Sequence, residues 1–341
     1  DQGRGVDPQQ QRHRQRPPVR HLHAHGIGAD QQGEQRAAND QEHAGPDQVR
    51  IKHTVIGVNF VDTYHRSGLY NMPLPATLGS EGAGIVEAVG ANVRTLKVGD
   101  RVAYCMVRGA YAEAANVPAW NAVKLPAGVS DETAAAALLK GLTARYLLKA
   151  TYPVKRGQTI LLHSAAGGVG LIAGQWARHL GVRVIGTVGS DDKIALAKAN
   201  GCDVVLNVRT EDWVKRVRDL TDGQGVPVVY DSIGKDTFMM SLDCLQVRGM
   251  LVYFGNSSGA VPPFDPLILS GKGSLYLTRP TLASYMRNAE ELKETSDDLL
   301  DVLASGAVKV SVNQRFKLAD TRAAHEALHS RATTGATVLL P

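Results

Sequence analysis

The sequence predicts an α/β protein in which a small region of short β-strands precedes a doubly wound parallel sheet. Three observations carry this. Between residues 159 and 278, apolar strand-like runs alternate with segments of helical period. The first strand-like run, residues 159–162, leads into a glycine turn, Ala165-Ala166-Gly167-Gly168-Val169-Gly170, that opens a helix. Residues 44–127 hold short alternating runs cut by glycine and proline, the pattern of a small β-barrel.

Residues 1–43 are a different material, rich in Gln, Arg and His and without any aromatic residue or helical or strand period. Such a stretch buries too little apolar surface to offset the entropy of ordering it. Its alternating His21, His23 and His25 are read as solvated rather than as a metal tract. The chain has no starting Met, and this segment is expected to be a product of translation in another reading frame.

From residue 44 the elements follow in order. Gly45-Pro46-Asp47 is a turn, and residues 49–58 alternate as a strand. Residues 59–70 form a polar and aromatic stretch, 72–75 a proline loop, and 78–90 a glycine-dense strand pair. Residues 98–102 are a turn entering a strand, and 111–117 and 122–125 are further short strands. Ser130 caps a helix over 133–139, with Asp131 and Glu132 in its first turn, and a second helix runs on to about 150.

In the alternating region the predicted strands are 159–162, 182–188, 204–207, 227–231, 250–254 and 275–278. Pro227 is tolerated as a first strand residue. Val169, Ile172, Trp176 and Leu180 mark the first crossover helix, which Gly181 stops. Ligands of such a sheet bind beyond the carboxyl ends of its strands, so the loops 165–170, 187–193, 231–234 and 254–258 are expected to share one crevice. Beyond 280 the sequence reads as a helix at 289–304, a strand at 308–310, a helix at 319–328 and a last strand at 337–340.

The glycine turn fits a dinucleotide, whose pyrophosphate would meet bare N–H groups at a helix N-terminus. The plainer alternative is a βα turn whose glycines serve packing. An NAD site carries an acid about 20 residues later, on the ribose hydroxyl. Here that region reads Thr187-Val188-Gly189-Ser190, with Lys193 shortly after, which suits a 2′-phosphate and points to NADP(H). Asp191 and Asp192 are read as acids at a helix start.

Composition narrows the function classes. The 341 residues suffice for two cores, and the net charge of +5 is modest. Three scattered cysteines without a C-x-x-C argue against disulfides and for a reducing, cytoplasmic setting. No apolar run reaches the roughly 18 residues of a membrane helix. Without Lys/Arg clusters interleaved with aromatics, the sequence argues against nucleic acid as a partner.

Several segments in this order make the chain resemble the medium-chain dehydrogenase/reductase superfamily, and more narrowly its zinc-free NADPH:quinone oxidoreductases. They are Asn59-Phe60-Val61-Asp62-Thr63-Tyr64, Arg66-Ser67-Gly68-Leu69-Tyr70, Gly79-Ser80-Glu81-Gly82-Ala83-Gly84, Lys140-Gly141-Leu142-Thr143-Ala144, residues 165–170, Phe254-Gly255-Asn256-Ser257-Ser258-Gly259 and Ser330-Arg331-Ala332-Thr333. The resemblance covers about residues 44–341. It implies a GroES-like β-barrel catalytic domain at 44–127, a Rossmann domain binding NADP(H) at 128–279, and a return at 280–341 to the catalytic domain. It also implies a homodimer.

The zinc-dependent members place a His just before a Glu in the barrel, and here that position is Ser80 before Glu81. Their cysteine ligands and four-cysteine loop have no counterpart, so no metal ligands are expected. The resemblance further implies that Asn59, Asp62 and Thr63 contact the nicotinamide half of the cofactor. Gly167, Gly168 and Val169 would face the pyrophosphate, and Ser190, Lys193 and Arg331 the 2′-phosphate. Phe254, Gly255, Asn256 and Ser257 would close over the nicotinamide, with Lys140 and Thr143 at the hinge between domains. Tyr64, Tyr70 and Arg279 would line the quinone pocket, a tyrosine hydroxyl or Arg279 stabilising oxyanion charge. Plainer readings stand beside these: packing for the tyrosines, a turn role for Asp62, a solvated helix lysine for Lys193. His163 is expected to be structural. The implied activity is NADPH-dependent quinone reduction. The alternatives are reduction of an enone or enoyl thioester, or a non-catalytic crystallin-like or RNA-binding role.

Overall fold

The computed structural model describes residues 43–341; the readings made for the segment before them, including His21, His23 and His25, lie outside the described residues. Two sheets organise the chain. The first comprises β1 (Gln48–Val58), β2 (Glu81–Val89), β3 (Arg101–Cys105), β4 (Ala114–Pro118), β5 (Val123–Lys124), β12 (Val312–Lys317) and β13 (Ala336–Leu340). Its order is β12-β13-β1-β2-β3-β5, with β4 also on β1. The long β1 is the hub, antiparallel to β13, β2 and β4. The glycine-dense stretch forms the single strand β2 rather than a pair. Its glycines serve close approach: a Cβ on Gly84 would stand 2.0 Å from the Lys52 carbonyl oxygen on β1.

The second sheet is parallel throughout, with β6 (Thr159–Leu162), β7 (Arg183–Val188), β8 (Val204–Asn207), β9 (Val226–Asp231), β10 (Leu245–Tyr253) and β11 (Tyr276–Thr278) in the order β11-β10-β9-β6-β7-β8. The order reverses at β6, which pairs with both β7 and β9. That is the topological switch point, where the two flanking loops diverge and leave a crevice. Apolar side chains cover both faces of this sheet, Ile160 and Val184 on one and Leu161 and Ile185 on the other.

Other expectations need correction too. Residues 59–70 contain a helix, α1 (Phe60–Arg66), whose Asn59 and Asp62 make a capping box. The two helices expected before residue 150 are one, α2 (Asp131–Tyr146), continued by a π-turn at Leu147–Thr151. Gly141 does not break it; a Cβ there would lie 2.4 Å from Leu299 Cδ1, so this glycine lets α2 pack closely on α8 (Ala289–Ala304). The strand expected at 308–310 lies instead at β12, because Val308 is buried in the core and the alternating segment after it pairs with β13. Pro227 is the second residue of its strand.

Helix α2 joins the halves. Ser130 Oγ accepts the Thr133 N–H at 3.1 Å, Asp131 and Glu132 occupy the positive end, and four successive alanines follow. Packed against β1, β2 and β3 on one side and α3 (Gly168–His179) and α8 on the other, it buries residues of both sheets in one core. No helix among the described residues is long and apolar enough to cross a membrane.

Candidate active site

A cavity of about 450 Å³ lies at the switch point, within the range of small-molecule sites. All four expected loops contribute to its wall, at residues 166–170, 187–190 with 193, 232–233, and 254, 255 and 257. The glycine turn is shaped by sterics. Ser164 takes a left-handed φ of 54°, and its carbonyl accepts the Gly167 N–H at 2.9 Å. A Cβ on Gly170 would sit 2.3 Å from that carbonyl oxygen, so the turn admits no side chain there. Helix α3 begins at Gly168 without a side-chain cap, which leaves its first N–H groups free to bind an anion. Gly335 on the return segment donates its N–H to the Ala166 carbonyl, bringing residues 330–337 over the turn.

At one end of the cavity lie Ser190, Lys193 and Arg331. Lys193 Nζ donates to the Arg331 carbonyl at 2.5 Å, and the Arg331 guanidinium lies 3.6 Å from Asp236. Asp191 does not line the cavity; its carboxylate accepts from Asn207 Nδ2 at 2.8 Å. Sequence reasoning missed Arg209, which lines this same end two residues beyond β8. The rule that ligands gather past strand C-termini is the signal that marks it.

Tyr64, Tyr70 and Arg279 are brought together at another part of the wall. The Tyr64 and Tyr70 rings meet edge to face at 5.2 Å. Arg279 Nη2 donates to the Tyr70 hydroxyl at 2.8 Å, and its guanidinium lies 4.8 Å from the Tyr253 ring centroid. The Asn256 N–H donates to the Tyr64 hydroxyl at 2.9 Å, and burial pushes that phenol up to about 12. Phe254, Gly255 and Ser257 line the cavity, whereas Asn256 stands behind it, spent on Tyr64 and on a 3.4 Å bond to Tyr70.

Asp62 and Thr63 do not reach the cavity. Thr63 is buried and donates to the Phe60 carbonyl at 2.7 Å. Asp62 is wholly buried and accepts from the Asn59 N–H at 2.9 Å, Ser80 Oγ at 2.7 Å and the Tyr111 hydroxyl at 3.0 Å. Burial, opposed by these donors and by Lys140, moves its carboxyl up to about 6. The chain continues outward. His325 Nδ1 lies 3.1 Å from Arg66 Nη1, which donates, so Nε2 carries the proton toward Tyr111 Oη at 2.9 Å. Burial, reinforced by Arg66, lowers His325 to about 4 and keeps it neutral.

Asn59, Lys140 and Thr143 do line the cavity. Behind them Glu81, fully buried, accepts from Asn59 Nδ2 at 2.9 Å, Lys140 Nζ at 3.2 Å and the Leu139 N–H at 2.6 Å. Gly57 makes room for that carboxylate, since a Cβ there would lie 2.3 Å from Glu81 Oε2. Lys140 also lies along Gly168, where a Cβ would be 2.9 Å from its Cδ. His163 is buried between Thr187 Oγ1 and Ser241 Oγ, at 2.8 and 3.0 Å. Among the described residues no group of three or more His, Cys, Asp or Glu is placed to hold a metal ion.

Residues 45–127 match the alcohol dehydrogenase GroES-like domain and residues 168–305 the zinc-binding dehydrogenase family. The chain is 53% identical over 299 residues to a quinone oxidoreductase of Pseudomonas aeruginosa, covering 87% of this chain and 92% of that one. It is 45% identical to a 2-haloacrylate reductase of a Burkholderia species, covering 87% and 92%. The crystal structure of Escherichia coli quinone oxidoreductase complexed with NADPH superposes with a TM-score of 0.86 at 51% identity, covering 87% of this chain and 93% of that one. The chain therefore belongs to the quinone oxidoreductase family of medium-chain dehydrogenases/reductases.

Proposed function

We propose that this protein reduces quinones with NADPH, without a metal. The observation that carries the reading is the cavity itself. Part of its lining is the glycine turn at the switch point of the parallel sheet, and another part is the Tyr64–Tyr70–Arg279 group. The residues present fit the cofactor. The open N–H groups of Gly168 and Val169, at the start of α3, would hold the pyrophosphate against the turn at Gly167. Ser190, Lys193, Arg209 and Arg331 would surround a 2′-phosphate, and Asn59, Lys140 and Thr143 would flank the nicotinamide ribose. When bound, NADPH supplies the hydride.

The chain's own residues position the acceptor and exclude water. Tyr64 and Tyr70 present a flat aromatic corner to a ring acceptor, and Arg279 or a tyrosine hydroxyl stabilises charge developing on its oxygen. Glu81, held by the Leu139 N–H, fixes Asn59 and Lys140 in place through one hydrogen bond to each. NADPH and NADH oxidation rates with 1,4-benzoquinone test the reading: NADPH should be preferred, and absence of turnover with either overturns it.

The second reading is reduction of an activated carbon–carbon double bond, favoured by the 45% identity to the Burkholderia 2-haloacrylate reductase. Supplying 2-chloroacrylate in place of the quinone separates the two.

The division into a catalytic part at 44–127 and 280–341 and a cofactor part at 128–279 belongs to the same proposal, supported by β12 and β13 joining the first sheet. A homodimer is supported by β11, an edge strand with Tyr276 56% exposed, and by Val247, 69% exposed on the adjoining β10. Light scattering at micromolar concentration tests it. A cytoplasmic setting is supported by three buried, unpaired cysteines.

A further inference from the structure

The cavity wall is electrostatically one-sided. Five cationic side chains, Lys140, Lys193, Arg209, Arg279 and Arg331, line it, and among the described residues no Asp or Glu does. Four of the five have a match. Lys193, Arg209 and Arg331 share the Ser190 end, where the proposed cofactor carries its phosphate. Lys140 is paired with Glu81 at 3.2 Å. Arg279 is the cation left over. It makes no ion pair among the described residues; its partners are neutral, Pro280 O at 3.0 Å, the Tyr70 hydroxyl at 2.8 Å and Tyr253. Those two bonds and the Tyr253 ring hold the guanidinium in place beside the tyrosines, so little of its freedom is lost when an anion arrives.

We propose that Arg279 selects acceptors that carry an anionic substituent, a carboxylate or sulfonate on the ring, by pairing with that group while the ring rests on Tyr64 and Tyr70. This rests on the quinone-reduction reading and adds the acceptor class. The reaction is unchanged: quinone, NADPH and one proton give hydroquinone and NADP+. A neutral quinone offers the Arg279 guanidinium only uncharged carbonyl oxygens before hydride arrives, whereas an anionic one gives it a full charge to pair with as soon as it binds, in charge-assisted hydrogen bonds, the stronger kind.

The test compares 1,4-naphthoquinone with 1,4-naphthoquinone-2-sulfonate at saturating NADPH, in the wild type, Arg279→Met and Arg279→Lys. The readout is the ratio of kcat/KM for the sulfonated over the neutral quinone; comparing it between proteins cancels general loss of activity and the difference in quinone potential. Arg279→Met should lower this ratio about ten- to hundredfold, chiefly through the KM of the sulfonate. Arg279→Lys, which keeps the charge without the fork, should fall between. In the wild type the ratio should also decline as salt rises. An equal ratio in all three proteins, with neutral quinone still reduced, overturns the proposal and leaves the quinone reading standing. Failure of the wild type to reduce either quinone overturns both.

Discussion

Asp62 is the group whose burial has the most measurable consequence. In the unfolded chain its carboxyl titrates near 3.8; in the folded protein it titrates at about 6, because burial outweighs the hydrogen bonds from Ser80, Asn59 and Tyr111. A carboxyl raised on folding binds its proton more tightly in the native state, so its contribution is fully present below pH 3.8 and lost as the pH rises through about 6. The displacement corresponds to about 3 kcal/mol, of which about 2 kcal/mol falls between pH 4.5 and 7.5. His325 runs the other way: lowered to about 4, it gains stability as the pH rises from there toward its ordinary value, so the wild-type curve alone does not isolate Asp62. Asp62→Asn does. The amide oxygen accepts from the Asn59 N–H and the Tyr111 hydroxyl, and the Ser80 hydroxyl turns to accept from the amide nitrogen. Urea unfolding at pH 4.5, 5.5, 6.5 and 7.5, compared where the m-values agree, gives the difference in stability between the two proteins. Wild type should lose about 2 kcal/mol relative to Asp62→Asn across that series, most of it before pH 6.5. Parallel curves would refute the argument that this carboxylate is held against its solvation.

Three further outcomes follow from the same packing. Lys140→Met leaves the Glu81 carboxylate buried with neutral donors only and should cost about 3–5 kcal/mol in urea unfolding, with Glu81→Gln added in the same chain recovering part of it. Gly57→Ala drives a Cβ to 2.3 Å from both the Ala135 carbonyl oxygen and Glu81 Oε2 and should cost about 3 kcal/mol or more, read as a lowered Tm. Arg209→Ala and Arg331→Ala should each raise the KM for NADPH about tenfold while leaving that for NADH nearly unchanged; equal rises for both cofactors would remove these residues from the 2′-phosphate end.

How much of this was legible in the sequence differs between the halves, for a physical reason. The parallel sheet is written in local signals: apolar runs such as residues 159–162 buried on both faces, a glycine turn, and Gly181 and Gly201 at positive φ where helices stop. Most of its strands and the predicted 289–304 helix fall close to their observed bounds, although β10 begins at Leu245, five residues before the expected 250. The first sheet is set by partners far along the chain. β12 is a polar alternating edge strand whose identity depends on pairing with β13, so Val308 to Val310 looked the better strand. Helix α1 is too short for periodicity to speak, although Asn59 and Asp62 stand at capping-box spacing. At the site, Ser190, Lys193 and Arg331 converge because the return segment crosses the glycine turn, a contact no local pattern encodes.

Asp62 and Glu81 make the wider point about how such a site is built. Both are wholly buried carboxyl groups near the reacting end, a costly place to leave a charge. Neither faces the cavity; each is saturated by donors that hold something which does. Glu81 holds Asn59 and Lys140 through one carboxylate oxygen, and Asp62 ties the start of α1, and with it Tyr64, to Ser80 and Tyr111. The Tyr111–His325–Arg66 extension anchors the same helix at its far end, because Arg66 is its last residue. Helix α1 is thus clamped at both ends by one hydrogen-bonded chain, while Asn256 bridges Tyr64 and Tyr70 from the parallel-sheet side. Seven residues cannot hold a helix by propensity alone, so the orientation of Tyr64 is set by these polar contacts. Positioning in this protein is therefore bought with buried charge behind the wall, which leaves the wall itself free of acids and open to an electron-rich cofactor and its acceptor.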